Sequence, residues 1–134
     1  MTIEGRWTDA TQRNYCLRTK VGWTWEAYQT AIDTAVSAIQ AVENPVAMIF
    51  DLSLGGGFPG GDILGNIRYL EDHIPPNVFA SIVVGGPYII TAFTNVYIKL
   101  RPNAKRRVRF AKTMEEATAI AEQRFEQITG NAAE

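Results

Sequence analysis

Short apolar or alternating runs along the chain predict five β-strands. These runs occupy residues 3–7, 15–21, 46–50, 78–84 and 108–111. In residues 15–21 every second position carries Cys16, Arg18 or Lys20, and a period of two with one charged face is typical of a strand with one side in water. Residues 46–50 contain only apolar side chains, which favours a strand covered on both faces in the middle of a parallel sheet.

Stretches with apolar residues at helical spacing separate most of these runs and predict helices. Thr24 can cap a first helix and Asp62 a second, because short polar side chains accept hydrogen bonds from the first amides of a helix. Thr113 and Glu116 form a capping box at the start of the last helix. We expect that helix to give way to a flexible tail at residues 129–134.

Residues 88–100 predict a further helix that is apolar on most of its faces. Such a helix is either buried by the rest of its own chain or covered by a partner. We favour the partner, because a chain of this length has little left to cover a second apolar face. The predicted interface residues are Ile90, Phe93, Tyr97 and Ile98.

The order of the elements predicts the fold class. Two strands come first, and then helices and strands alternate up to the last helix. Alternation of this kind favours a mostly parallel sheet with right-handed crossovers, which here would carry an antiparallel pair at one edge. We therefore expect a single α/β domain over residues 1–134, with helices mainly on one face of the sheet.

Composition narrows the class of protein. The 134 residues include 46% hydrophobic and 20% charged residues, with 13 basic and 14 acidic side chains and a net charge of −1. This balance creates no field that would attract nucleic acid. The single cysteine, Cys16, fits a reducing compartment. No apolar stretch reaches the roughly 18–20 residues of a membrane span, and the first residues lack the pattern of a secretion signal, so we expect a cytoplasmic protein.

A glycine-rich loop follows the predicted central strand and could contact a ligand or a partner. Its residues 55–60 satisfy the pattern GxGxxG between a strand and a helix, but Pro59 lacks an amide that could donate to phosphate. Asp51 at the strand end could face a ligand, although such an aspartate more often caps its own turn. With the residues that lie beside it at the same edge of the sheet, the candidate loop comprises Asp51, Ser53, Gly55, Gly56, Gly57, Phe58, Gly60, Asp62, Gly85 and Gly86.

One cluster of basic residues could hold the phosphate groups of a lipid or a nucleotide. The alternative is a solvated turn whose charges lie favourably near the carboxyl end of a helix. The cluster consists of Arg101, Lys105, Arg106, Arg107 and Arg109.

Residue types that carry catalysis or bind metals are scarce. The single histidine, His73, lies at a predicted helix end, where its charge would be stabilised by the helix dipole, and Cys16 is far from it in sequence. We expect no catalytic pair, no metal and no cofactor. Trp7, Trp23 and Trp25 are expected to pack in the core or at its edge rather than to form a binding site.

Several phrases of the sequence resemble the STAS domain. They are PVAMIFDLS before the glycine loop, FASIVVGG in the next strand, and RVRFAKTMEEATAIA over the last strand and the start of the last helix. STAS is the fold of bacterial anti-sigma-factor antagonists and SpoIIAA-like domains, and it also occurs in the cytoplasmic tails of anion transporters. The resemblance implies a non-enzymatic regulatory domain that binds a partner protein. In the antagonists the switch is a phosphorylated serine or threonine at the start of the helix after the loop.

This chain departs from the family pattern at the switch. The matching stretch, residues 58–62, has no hydroxyl side chain, and Ser53 is the only hydroxyl residue in the loop. The sequence thus predicts a regulatory protein-interaction domain that self-associates through residues 88–100 into a homodimer. The alternative is a module that binds a small anionic ligand, a lipid or a nucleotide, between the glycine loop and the basic cluster.

Overall fold

The strands of the described residues form one five-stranded sheet. The computed structural model describes residues 3–54, 59–86, 88, 91 and 108–133. Strand order along the sheet follows sequence order, and the strands are β1 (Ile3–Trp7), β2 (Asn14–Thr19), β3 (Val46–Asp51), β4 (Val78–Val84) and β5 (Val108–Ala111). β1 and β2 are antiparallel, and every other neighbouring pair is parallel. The predicted fold class is confirmed.

The central strand β3 is buried along its whole length. Met48 and Phe50 belong to an apolar cluster on one face of the sheet, and Ala47 and Ile49 to a second cluster on the other face. This is the two-sided burial that an uninterrupted apolar run favours. The prediction of a central strand at this position is confirmed.

Three helices are present among the described residues: α1 (Trp25–Gln40), α2 (Ile63–His73) and α3 (Met114–Ala133). Ile32 of α1 and Leu70 of α2 pack into the cluster on one face of the sheet. Ala117 and Ala121 of α3 pack into the cluster on the opposite face. The expectation of helices mainly on one face therefore fits α1 and α2, whereas α3 covers the other side.

Each of these helices begins at a side-chain cap that the sequence predicts. Thr24, Asp62 and Thr113 accept a hydrogen bond from the amide three residues further on, at 3.1, 2.8 and 3.1 Å. Such caps satisfy amides that have no partner within the helix. In the capping box, however, the Glu116 carboxylate accepts from the amide of Lys112 at 3.2 Å and not from that of the cap residue itself.

The end of β2 differs from the prediction. β2 ends at Thr19 and not at Val21, because the chain turns sharply between Lys20 and Trp23. Gly22 supplies the positive φ of 86° in that turn, a conformation that glycine adopts without steric cost. At the other end of the chain, α3 continues to Ala133, and the flexible tail at residues 129–134 stays a prediction.

The predicted helix at residues 88–100 lies outside the described residues, except for Tyr88 and Thr91, which are helical. Within the described part of the chain, no helix combines the length and the hydropathy needed to cross a membrane.

Candidate functional site

The parallel strands β2, β3 and β4 end together at one edge of the sheet. Arg18 is aligned with Asp51, and Asp51 is aligned with Val84; we call these three residues the strand-end row. In open α/β sheets, binding sites form beyond the carboxyl ends of the strands, where the chain leaves the sheet. The loops that follow this row are therefore the first place to look for a functional site.

Asp51 is the buried carboxylate of this edge. It is only 2% exposed. Its Oδ2 accepts from Arg18 Nε at 3.1 Å, and its Oδ1 accepts from the Ser53 amide at 3.1 Å and the Ser53 hydroxyl at 2.5 Å. The last two bonds form the Asx turn expected from the sequence. The carboxylate is thus occupied by its own turn and by the neighbouring strand.

An aromatic cluster ties the start of α1 to the far end of the glycine loop. Trp23 and Trp25 meet edge to face at 5.1 Å between ring centroids, and Trp25 and Tyr28 at 5.3 Å. Trp25 Nε1 donates to the Gly60 carbonyl at 3.1 Å, and the Tyr28 hydroxyl donates to the Asn66 carbonyl at 3.2 Å. Packing of the tryptophans is as predicted. The bond to Gly60 is not visible in the sequence, since 35 residues separate its partners.

A small apolar cavity lies beneath this cluster, between the sheet and the first two helices. Its volume is about 20 Å³, roughly the space of one water molecule. Too little space exists there for a lipid chain or a nucleotide. The lining includes Thr19, Trp25, Phe50, Leu52, Ile67 and Val83.

Large hydrophobic side chains are exposed at this same edge. Val21 is 80% exposed, Leu54 56% and Tyr88 75%, and they are the exposed large hydrophobic residues of the described part of the chain. Each follows the strand-end row by three or four residues, after β2, β3 and β4 respectively. We call these three residues the apolar trio. The sequence shows their hydrophobicity but not their exposure.

The predicted loop residues that the structure describes have structural partners or are exposed. Asp62 caps α2, the Gly60 carbonyl accepts from Trp25, and the Gly85 amide donates to the Ala111 carbonyl at 3.1 Å. Gly86 is exposed. Gly55, Gly56, Gly57 and Phe58 lie outside the described residues.

The predicted interface and most of the basic cluster also lie outside the described residues. This holds for Ile90, Phe93, Tyr97 and Ile98 and for Arg101, Lys105, Arg106 and Arg107. Arg109 lies on β5, where its Nη1 donates to the Val108 carbonyl at 2.9 Å. The ligand-binding alternative therefore stays a prediction.

The cysteine and the histidine are on different sides of the sheet. Cys16 is buried in the cluster under α3. Burial, together with the nearby charge of Asp51, raises the pKa of its thiol to about 11, which keeps it protonated and unreactive at neutral pH. His73 stacks on Tyr69 at 4.2 Å, and its Nδ1 lies 2.7 Å from the Tyr69 carbonyl. Among the described residues, no three potential metal ligands cluster together.

Comparison with known proteins identifies the fold. No protein-family model and no curated protein matches the chain. A solved structure of the anti-sigma factor antagonist SpoIIAA in its unphosphorylated form is similar over 96% of each chain, with 16% identity and a TM-score of 0.52. A structure of the Bacillus cell fate determinant SpoIIAA in the phosphorylated form covers 87% of this chain and 96% of its own, with 18% identity and a TM-score of 0.48. The chain has the SpoIIAA fold, and the predicted resemblance is confirmed at the level of fold.

Proposed function

We propose that this chain is a non-enzymatic regulatory domain of the cytoplasm that binds a partner protein beyond the carboxyl ends of β2, β3 and β4. The observation that carries the proposal is the apolar trio. Val21, Leu54 and Tyr88 are exposed after three neighbouring strands. Exposed hydrophobic side chains grouped at one place are typical of protein-binding surfaces, whereas single ones scattered over a surface are not.

The polar groups of this edge support docking rather than chemistry. Asp51 is satisfied within the chain, and Asp62 is engaged as a helix cap. Among the described contacts neither carboxylate is paired with a histidine or a lysine. The Cys16 thiol lies near Asp51, but burial and that negative charge raise its pKa to about 11, so the thiol stays protonated at neutral pH. A docking surface needs apolar contact area on a rigid support, and a sheet with helices packed on both faces supplies that support.

The similar fold also favours a protein partner. The protein with the similar solved structure is described as an anti-sigma factor antagonist, and a role of that kind is exerted on another protein. A phosphate switch fits this chain poorly, because the Ser53 hydroxyl donates to the buried Asp51 carboxylate. A phosphate at Ser53 would be repelled by that negative charge.

Affinity capture from an extract of the native cells tests the proposal. Wild-type chain is compared with the triple variant Val21→Ser, Leu54→Ser and Tyr88→Ser, and with the control variant Gln40→Ser and Gln123→Ser, which changes exposed residues elsewhere. We expect a co-purifying protein with the wild type and the control, and its loss with the triple variant. Exposed positions change stability by only about 0.5 kcal/mol or less, so all three proteins should fold.

Two results would contradict the proposal. One is a captured protein that binds the triple variant as well as it binds the wild type. The other is a lipid or nucleotide retained by the freshly purified chain in native mass spectrometry, with no protein captured, which would favour the ligand-binding alternative.

Self-association through residues 88–100 is a further part of the proposal. Its support is the sequence pattern alone, in which apolar residues occupy most faces of the predicted helix. The variant Tyr97→Glu should reduce the number of chains in the assembly measured by sedimentation velocity. An assembly of unchanged size would contradict this interface.

A further inference from the structure

Strand β1 has an open edge that the rest of the described chain leaves unpaired. It is the outermost strand of the sheet, and β2 is its neighbour on the inner side. The Thr8 amide donates to the Asn14 carbonyl at 3.0 Å, and antiparallel ladders bond every second pair. The backbone groups of Ile3, Gly5 and Trp7 therefore point outward, away from β2. An outward row of amides and carbonyls is a template for pairing with another strand.

The side chains of β1 are complementary to those of a second copy of β1. Glu4 and Arg6 flank Gly5, and all three are exposed. If a second β1 runs antiparallel with the two-fold axis at Gly5, each Glu4 lies opposite the second copy's Arg6. Ile3 then lies opposite Trp7. Opposite charges directly across an antiparallel pair stabilise it, and like charges destabilise it.

Only this register forms the backbone hydrogen bonds and also places each Glu4 opposite an Arg6. Pairing must join outward-facing residues to outward-facing residues, so the register can shift only in steps of two. A shift in one direction places Glu4 opposite Glu4, and a shift in the other places Arg6 opposite Arg6. The register centred on Gly5 also pairs all five residues of the strand. The strand thus specifies one arrangement.

A groove of about 770 Å³ lies between β1 and α1, with Ile3, Gly5 and Tyr15 among its lining residues. Gly5 leaves room for the Tyr15 side chain over β1, because a Cβ there would come within 2.9 Å of the Tyr15 hydroxyl. On the helix side the lining residues are mostly small: Ala27, Thr30, Ala31 and Thr34. A tryptophan from the second copy can lie over this groove.

We propose that β1 pairs with the β1 of a second copy of this chain, antiparallel and centred on Gly5, so that the sheet continues across a two-fold axis. The contact uses the side of the sheet. The apolar trio, in contrast, follows the carboxyl ends of β2, β3 and β4. The proposal is independent of the proposed function, and it differs from self-association through residues 88–100.

Charge reversal with mixing tests the pairing. Sedimentation equilibrium is measured in the Tyr97→Glu background, which removes the other proposed contact between copies. The samples are this parent chain, the same chain with Arg6→Glu, the same chain with Glu4→Arg, and an equimolar mixture of the last two. In a dimer of either variant alone, two pairs of like charges face each other across the axis. We expect the dissociation constant of that dimer to rise by about tenfold or more. In the mixture every acid of one chain faces a base of the other, so a heterodimer should form with close to the affinity of the parent chain.

A control separates the contact between chains from one within the chain. Glu4 also pairs with Lys20 of its own chain at 2.5 Å. Lys20→Gln removes that pair and leaves Glu4 for the second copy, so the dimer should persist. Circular dichroism of each variant should match the wild type, because the substituted side chains are exposed.

Each remaining outcome overturns the proposal. A parent Tyr97→Glu chain that is monomeric at all accessible concentrations does so. A dimer of this chain that Arg6→Glu leaves intact also does so. If the two variants form no dimer when they are mixed, the charges at positions 4 and 6 do not pair across this axis.

Discussion

Replacement of Asp51 by alanine should destabilise the fold markedly, although this residue lies at the candidate functional edge. The carboxylate is 2% exposed and accepts three hydrogen bonds, one from Arg18 and two from Ser53. The interpretation of Asp51 as a structural residue predicts a loss of stability. A carboxylate held in readiness for a ligand would instead cost stability in the unbound protein, so its removal would be neutral or stabilising.

The size of the loss follows from the three bonds. The two bonds from Ser53 contribute about 1 kcal/mol each. Arg18 is 37% exposed, so solvent screening reduces its ion pair to about 0.5–1 kcal/mol. Ser53 is itself exposed and can turn to water in the variant. The net expected cost of Asp51→Ala is about 2–3 kcal/mol.

Urea unfolding followed by tryptophan fluorescence measures this cost, because Trp23 is buried in the native state. Asp51→Asn keeps an acceptor for Ser53 but loses the charge, and it should cost only about 1 kcal/mol. A double-mutant cycle with Arg18→Ala should give a coupling of about 0.5–1 kcal/mol. If Asp51→Ala changes the free energy of unfolding by less than about 0.5 kcal/mol, the structural interpretation is refuted.

Two further predictions concern single side chains. Burial, with the charge of Asp51, raises the pKa of Cys16 from 9.0 to about 11, so the unfolded chain loses this proton at lower pH than the folded chain. The free energy of unfolding should not depend on this thiol below pH 9 and should fall as the pH rises from 9 to 11. Cys16→Ala should make this fall less steep in unfolding measurements. If the variant loses stability with pH as steeply as the wild type, the raised pKa of Cys16 is contradicted. Asp62 caps α2, and its Oδ1 accepts from the Gly65 amide at 2.8 Å. Asp62→Ala should therefore lower the stability measured by thermal unfolding by about 1 kcal/mol. A variant as stable as the wild type would contradict the capping role.

Local patterns in the sequence are sufficient to predict most elements of this fold. The apolar run of β3 predicts its central place, and caps such as Thr24 and Thr113 predict where helices begin, because these signals depend on neighbours in sequence. A strand boundary is harder to predict where one residue turns the backbone out of the strand. The alternation that includes Val21 suggests a longer β2, but the positive φ of Gly22 ends the strand earlier.

The candidate site was harder to predict because it depends on contacts between distant residues. Arg18 meets Asp51 only through the parallel register of β2 and β3, which the sequence does not specify. The apolar trio is likewise a candidate binding surface only because its side chains are exposed. Leu54 and Tyr88 look like core residues in a sequence, and only the strand order brings them to one edge.

The most direct test of protein docking is an NMR titration of the labelled chain with the protein that it captures. We predict shifts of backbone resonances in the turns after β2, β3 and β4, around Val21, Leu54 and Tyr88, with little change at the opposite strand ends near Asn77. Shifts concentrated near Asn77, with none in the three turns, would contradict docking at the carboxyl edge.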